Sequence, residues 1–171
     1  MNNPTFSQKQ IRLFLSKSIS LARDALAENN YPIGCVAVDE TGKIIAQSSN
    51  QCSTLADVTA HAEILILKKL GKRVDKKTKA KLFLFTSLEP CFGCSFFIAR
   101  TNICAVYSAL KDPHKGGISD LQDKFRSFFN SIKTVNEPFD DLADQSRKLM
   151  SDYFINTGQE EKAKYYQKKN I

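Results

Sequence analysis

Residues 81–94 read KLFLFTSLEPCFGC, an apolar run that passes into a proline and a cysteine pair. Positions 81–87 form a nearly continuous apolar run, the pattern of a strand buried on both faces rather than one with a wet side. A proline then precedes a C-x-x-C pair. Pro90 suits the first turn of a helix, so a helix over roughly Cys91 to Arg100 follows the strand directly. The next apolar run, ICAVYSA at 103–109, supplies a second buried strand.

The pattern extends in both directions from this centre. Upstream, Thr59 to Gly71 predicts a helix with the glycine as its stop. IGCVAV (33–38) and KIIAQS (43–48) flank DETG and predict a hairpin. Ile11, Leu15, Ile19, Ala22 and Leu26 recur every three or four residues, which predicts an amphipathic helix over 7–29. Ser7 is its expected N-cap, and Pro32 lies just past its end. Downstream come the loop LKDPHKGG, a helix over 119–130, a short strand SIKTV and a long helix from about Phe139 that pauses at Gly158. Helices alternating with strands imply an α/β domain, a mixed sheet with helices on both faces. Right-handed crossovers place the two middle helices on one side of it. The whole of 1–171 reads as one domain, with its core over about 7–155 and a polar C-terminal helix or tail over 156–171.

Bulk composition is that of a globular protein, with 42% hydrophobic and 25% charged residues among 171, which argues against disorder. No window approaches the roughly 18 uninterrupted apolar residues of a membrane span. The N-terminus lacks the basic start and apolar core of a secretory signal, so a soluble, cytoplasmic protein is expected. Five cysteines, an odd count, argue against a disulfide framework. Cys35 and Cys104 sit in apolar runs and read as small buried hydrophobes; Cys52 lies in a polar loop. The net charge of +7 is concentrated: residues 68–81 carry eight basic residues against one acid. Lys72, Arg73, Lys76, Lys77 and Lys79 form a candidate nucleic-acid patch, and a solvated loop is the competing reading.

The chemistry lies in two separated motifs. TAHAE (59–63) holds one of the two histidines, and PCFGC (90–94) holds the cysteine pair. A catalytic zinc takes three protein ligands and keeps a fourth position open for water. His61, Cys91 and Cys94 supply such a set, one ion per chain. Each motif sits at a helix start, where the dipole favours thiolate. Glu63, two residues after His61, can lie beside the site without ligating and move protons there. Each motif alone is ambiguous. H-x-E is often only a helix start, and C-x-x-C can be a redox pair. A structural zinc would want a fourth ligand, for which the one spare histidine, His114, lies in a Gly/Pro loop. Together, H-x-E followed by P-C-x-x-C is the signature of zinc deaminases of nucleobases.

On those residues the chain resembles the cytidine/deoxycytidylate deaminase superfamily, and within it most closely the bacterial tRNA-specific adenosine deaminases. YPIGCVAV is similar to the family's first strand, DVTAHAEILIL resembles its metal helix, and TSLEPCFGC its cysteine motif. ALKDPHKGG and KLMSDYF resemble the later loop and the start of the final helix. The resemblance implies a three-layer α/β/α fold on a five-stranded mixed sheet, usually a homodimer whose subunits complete each other's sites. It implies that Asn50 and the backbone at Ala62 contact the base, that Glu89 borders the pocket, and that Asp112 lies near the sugar. Val58 stands where a proline is usual, Gly93 where methionine is usual, and Asn156 and Thr157 where that family places arginines. The expected activity is zinc-dependent hydrolytic deamination, of adenosine in tRNA. The alternatives are a free base, nucleoside or nucleotide of guanine, cytosine or cytidine type, and a non-catalytic nucleic-acid-binding module with a structural zinc. An intact Glu63 separates the last from the others, because a structural site has no use for it.

Overall fold

The computed structural model describes residues 6–78, 81–113, 117–125, 129 and 132–167; His114 and Lys79 lie outside these. Helix α1 (Gln8–Ala27) opens on a reciprocal cap, in which Gln10 N donates to Ser7 Oγ at 3.3 Å and Ser7 N to Gln10 Oε1 at 3.0 Å. Strands β1 (Gly34–Asp39) and β2 (Ile44–Ser49) form the expected hairpin. Asp39 closes its turn by accepting from Thr41 N and Lys43 N at 2.9 and 3.1 Å.

Helix α2 (Ala62–Leu70) precedes β3 (Leu82–Leu88), and α3 (Phe92–Ala99) links β3 to β4 (Ile103–Leu110). Helix α4 (Ile118–Lys124), β5 (Lys133–Asn136), α5 (Asp140–Asn156) and α6 (Glu160–Gln167) complete the described elements. The sheet order is β2-β1-β3-β4-β5. β1 pairs antiparallel with β2 and β3, while β3, β4 and β5 run parallel. This is the five-stranded mixed sheet of an α/β fold. Every residue of β3 is buried, as its unbroken apolar run predicts.

Alternation along the strands divides the core in two. Cys35, Ala37, Leu82, Leu84 and Val106 face α2, α3 and α4, so both middle helices share one face. Val36, Val38, Phe83, Phe85 and Tyr107 face α1 and the start of α5. A third cluster gathers Leu88, Leu110, Met150, Phe154 and Tyr166 beyond the C-terminal ends of β3 and β4.

Four local expectations shift. The helix expected from Thr59 begins at Ala62, because Asp57 Oδ1 accepts from Thr59 N at 2.8 Å and holds that residue in a turn. Pro90 lies before the N-cap Cys91 rather than in the first turn; its carbonyl accepts from Ser95 Oγ at 3.0 Å. Cys104 is partly exposed, not buried. The helix expected over 119–130 spans 118–124 here, with residues 126–128 and 130–131 outside the described set. At Gly158, φ is +70°, a left-handed turn that glycine adopts without penalty. It folds α6 back so that Ala163 and Tyr166 are buried against α5 and the strand ends.

Candidate active site

Both halves of the site are N-cap residues. His61 caps α2 and Cys91 caps α3, each with extended backbone, and neither side chain makes a capping hydrogen bond. Both side chains turn instead to a common point. His61 Nδ1 lies 3.7 Å from Cys91 Sγ and 3.4 Å from Cys94 Sγ. The three ligand atoms lie within 4.8 Å of one another, and no other such group of three or more occurs among the described residues. Tetrahedral zinc with ordinary Zn–S and Zn–N lengths sets its ligand atoms roughly 3.6–3.8 Å apart. The observed spacings match, so this three-donor set fits zinc.

Glu63 adjoins this trio without belonging to it. It is 2% exposed, and its Oε2 accepts from the Cys94 thiol at 3.6 Å. Burial lifts its carboxyl above the ordinary range, and Cys91 adds to the effect, while His61 and the Cys94 bond oppose it. The two thiols diverge. The hydrogen bond from Cys94 holds Cys91 well below a free thiol, helped by His61 and opposed by burial. The same bond, burial and Glu63 push Cys94 upward. A cation among these atoms would favour thiolate at both cysteines.

The site opens, through His61 and Cys91, on a cavity of about 250 Å³. Asn50, Glu63, Glu89 and Asp112 line it with His61 and Cys91. Asn50 is 1% exposed, and its Oδ1 accepts from Cys52 N at 3.1 Å. Glu89 is a hub: its carboxylate accepts from Ser119 Oγ at 2.6 Å, Ser119 N at 3.1 Å and Asp112 N at 3.3 Å. It thereby ties the end of β3 to the loop after β4 and to α4. Gly117 permits this junction, because a β-carbon there would overlap the Pro90 carbonyl. Ala62 does not line the cavity; it is fully buried in the core.

The motifs do not announce the remaining wall. Tyr31 enters from the loop before β1, Met150 and Phe154 from α5, and Lys162 and Tyr166 from α6. Tyr166 donates to Asp112 Oδ1 at 3.0 Å. Its ring stacks on Phe154 at 5.7 Å, and Phe154 meets Tyr31 edge-on at 5.8 Å. The usable signal was Gly158, since a helix broken by glycine can return across its predecessor. The basic run lies elsewhere. Lys72 and Arg73 sit in the 3-10 turn after α2, the end of that helix remote from His61, and Lys76 and Lys77 follow before β3. None of them lines the cavity.

Comparison with known proteins agrees with this geometry. A family model for the cytidine and deoxycytidylate deaminase zinc-binding region matches residues 8–110. The chain is 35% identical over 107 residues to the tRNA-specific adenosine deaminase of Aquifex aeolicus (strain VF5), covering 62% of this chain and 70% of that protein. A solved structure from work on A-to-I editing by tRNA deaminases at the wobble position superposes with a TM-score of 0.66. It is 27% identical and covers 81% of this chain and 99% of its own. The guanine deaminase of Bacillus subtilis, 28% identical, superposes with a TM-score of 0.51 over 70% of this chain and 71% of its own.

Proposed function

The chain belongs to the cytidine and deoxycytidylate deaminase family and is a zinc-dependent hydrolytic deaminase, and we propose that it converts adenosine in transfer RNA to inosine. The observation that carries the chemistry is the meeting of His61, Cys91 and Cys94 beside the buried Glu63. The curated relatives carry the substrate.

His61, Cys91 and Cys94 would hold the ion. Zinc bound there supplies the Lewis acidity that lets water attack near neutral pH. Glu63 takes one proton from the attacking water and passes it to the ring nitrogen, then takes the second from the hydroxyl so formed and passes it to the departing amine. The exocyclic C–N bond breaks as a carbonyl replaces it, and ammonia leaves. Asn50 orients the base from one wall, and Asp112, held by Tyr166 and Glu89, faces the sugar. The largely apolar cavity excludes bulk water from this transfer. A non-catalytic module would have no reason to bury a carboxylate against its ligands, and that burial favours the enzyme. A homodimer in the cytoplasm completes the proposal, supported by the exposed phenylalanines of α3.

The test is to mix the zinc-loaded protein with tRNA and measure inosine. Accumulation of inosine in the anticodon is expected, with Glu63→Gln retaining zinc and fold while turnover falls by about 10²–10⁴-fold. A small-base substrate is the second reading, favoured by the α6 wall that encloses the cavity. Ammonia release from guanine or cytosine with tRNA untouched would establish it and reject the tRNA proposal.

A further inference from the structure

Deamination at the trio does not account for the cation in the wall. Lys162 lines the cavity from α6 and is partly buried. Its Nζ donates to the neutral Gln159 Oε1 at 2.6 Å and lies 5.8 Å from the centre of the Phe154 ring. Among the described residues, no carboxylate forms an ion pair with it. The acids sharing the cavity are engaged elsewhere: Asp112 accepts from Tyr166, Glu89 from Ser119 and Glu63 from Cys94. The positive charge of Lys162 is therefore steadied by an amide and a ring but neutralised by neither, inside a pocket whose other wall carries Asn50 and Glu63.

We propose that Lys162 forms a phosphate subsite, so that the enzyme takes its base as part of a nucleotide rather than free. This rests on the deaminase reading of the site and narrows its substrate class. An ammonium has three donors and no acceptor, and its natural partner at a nucleoside-sized cavity is the phosphate attached to the sugar. The arrangement depends on the turn at Gly158, which brings α6 across the pocket. Tyr166 anchors the same helix to Asp112, holding Lys162 at a set distance from the carboxylate beside the sugar. The aromatic wall of Tyr31 and Phe154 adds a surface on which a base can stack.

The experiment measures binding to zinc-loaded Glu63→Gln protein, in which turnover does not interfere. The probes are adenosine and adenosine 5′-monophosphate, guanosine and guanosine 5′-monophosphate, and a short RNA stem-loop with adenosine in its loop. A phosphate-bearing ligand should bind about tenfold or more tighter than its nucleoside, the gain of one charge-assisted hydrogen bond. Adding Lys162→Ala should bring that ratio near one, and Lys162→Arg should restore most of it. A gain confined to the monophosphates assigns the phosphate to a free nucleotide, and a gain on the stem-loop assigns it to RNA; either supports the subsite. No phosphate gain in the Lys162-containing protein, or a gain that survives Lys162→Ala, overturns it. Failure of the tRNA reading is seen separately, as small-base turnover without inosine in tRNA.

Discussion

His61 and Cys91 occupy N-cap positions, yet neither side chain makes the usual cap bond: His61 turns to the cysteines of α3, and Cys91 turns to His61. A residue that forgoes its local cap does so for a partner elsewhere, and here that partner is the other helix start. The thiols make a pH prediction. Zinc requires both sulfurs as thiolates, and Cys94 is held protonated by its bond to Cys91 and by burial. Its raised pKa means that binding zinc expels a proton, so affinity should rise with pH and fall as protons compete at lower pH. Chelator competition between about pH 6 and pH 8 measures this. A pH-independent affinity would mean that Cys94 is not a ligand. Cys94→Ser should weaken zinc retention while leaving the sheet intact.

At the scale of the element, α3 does two jobs. Its first turn carries the cysteines, and its middle buries Ser95, Ile98 and Ala99 against the sheet. Its outer face leaves Phe92, Phe96 and Phe97 about half exposed, at 50%, 47% and 53%. Three adjacent exposed aromatic rings on a helix that also holds the metal cysteines form a surface suited to a second copy of the chain. Phe96→Asp with Phe97→Asp should convert a dimer to a monomer in sedimentation velocity, with the circular dichroism spectrum unchanged. A monomeric parent protein would refute the dimer. Helix α6 makes the contrasting case. Its sequence, EEKAKYYQ, is polar, yet Ala163 and Tyr166 are buried because the Gly158 turn brings one stripe of it onto α5. Composition argued for a tail, and position makes it a wall of the site.

At the scale of the molecule, the charge and the chemistry occupy different places. The basic run begins in the last turn of α2 and continues past it, while His61 stands at the helix start, about 13 Å from its end along nine residues. Lys69 is partly diverted from any ligand, since its Nζ donates to Gln47 O at 2.8 Å and fastens α2 to β2. The patch is proposed to grip RNA outside the loop that enters the cavity. If it does, tRNA affinity should fall steeply with salt. Replacing Lys72, Lys76 and Lys77 by glutamine should then flatten that log–log slope by roughly 0.7–0.9 for each phosphate the protein no longer neutralises. An unchanged slope would return the run to a solvated loop.

The primary structure was enough for the order of elements, the buried strand β3 and the residue types of the trio with Glu63. Each of these is encoded locally, in the period of apolar residues or in a motif of a few positions. Asn50, Glu89 and Asp112 entered through resemblance alone, and the structure brings all three to the cavity. Folding alone settled that Ala62 packs in the core between His61 and Glu63, two residues of the cavity wall. It also decided that Glu89 serves as a hub, that Tyr166 reaches Asp112 from 54 residues away, and that the lysines of 72–77 stand apart from the site. The reason is geometric: local pattern specifies which face of an element is apolar, whereas the direction a chain takes after a turn such as Gly158 specifies which distant side chains share a pocket.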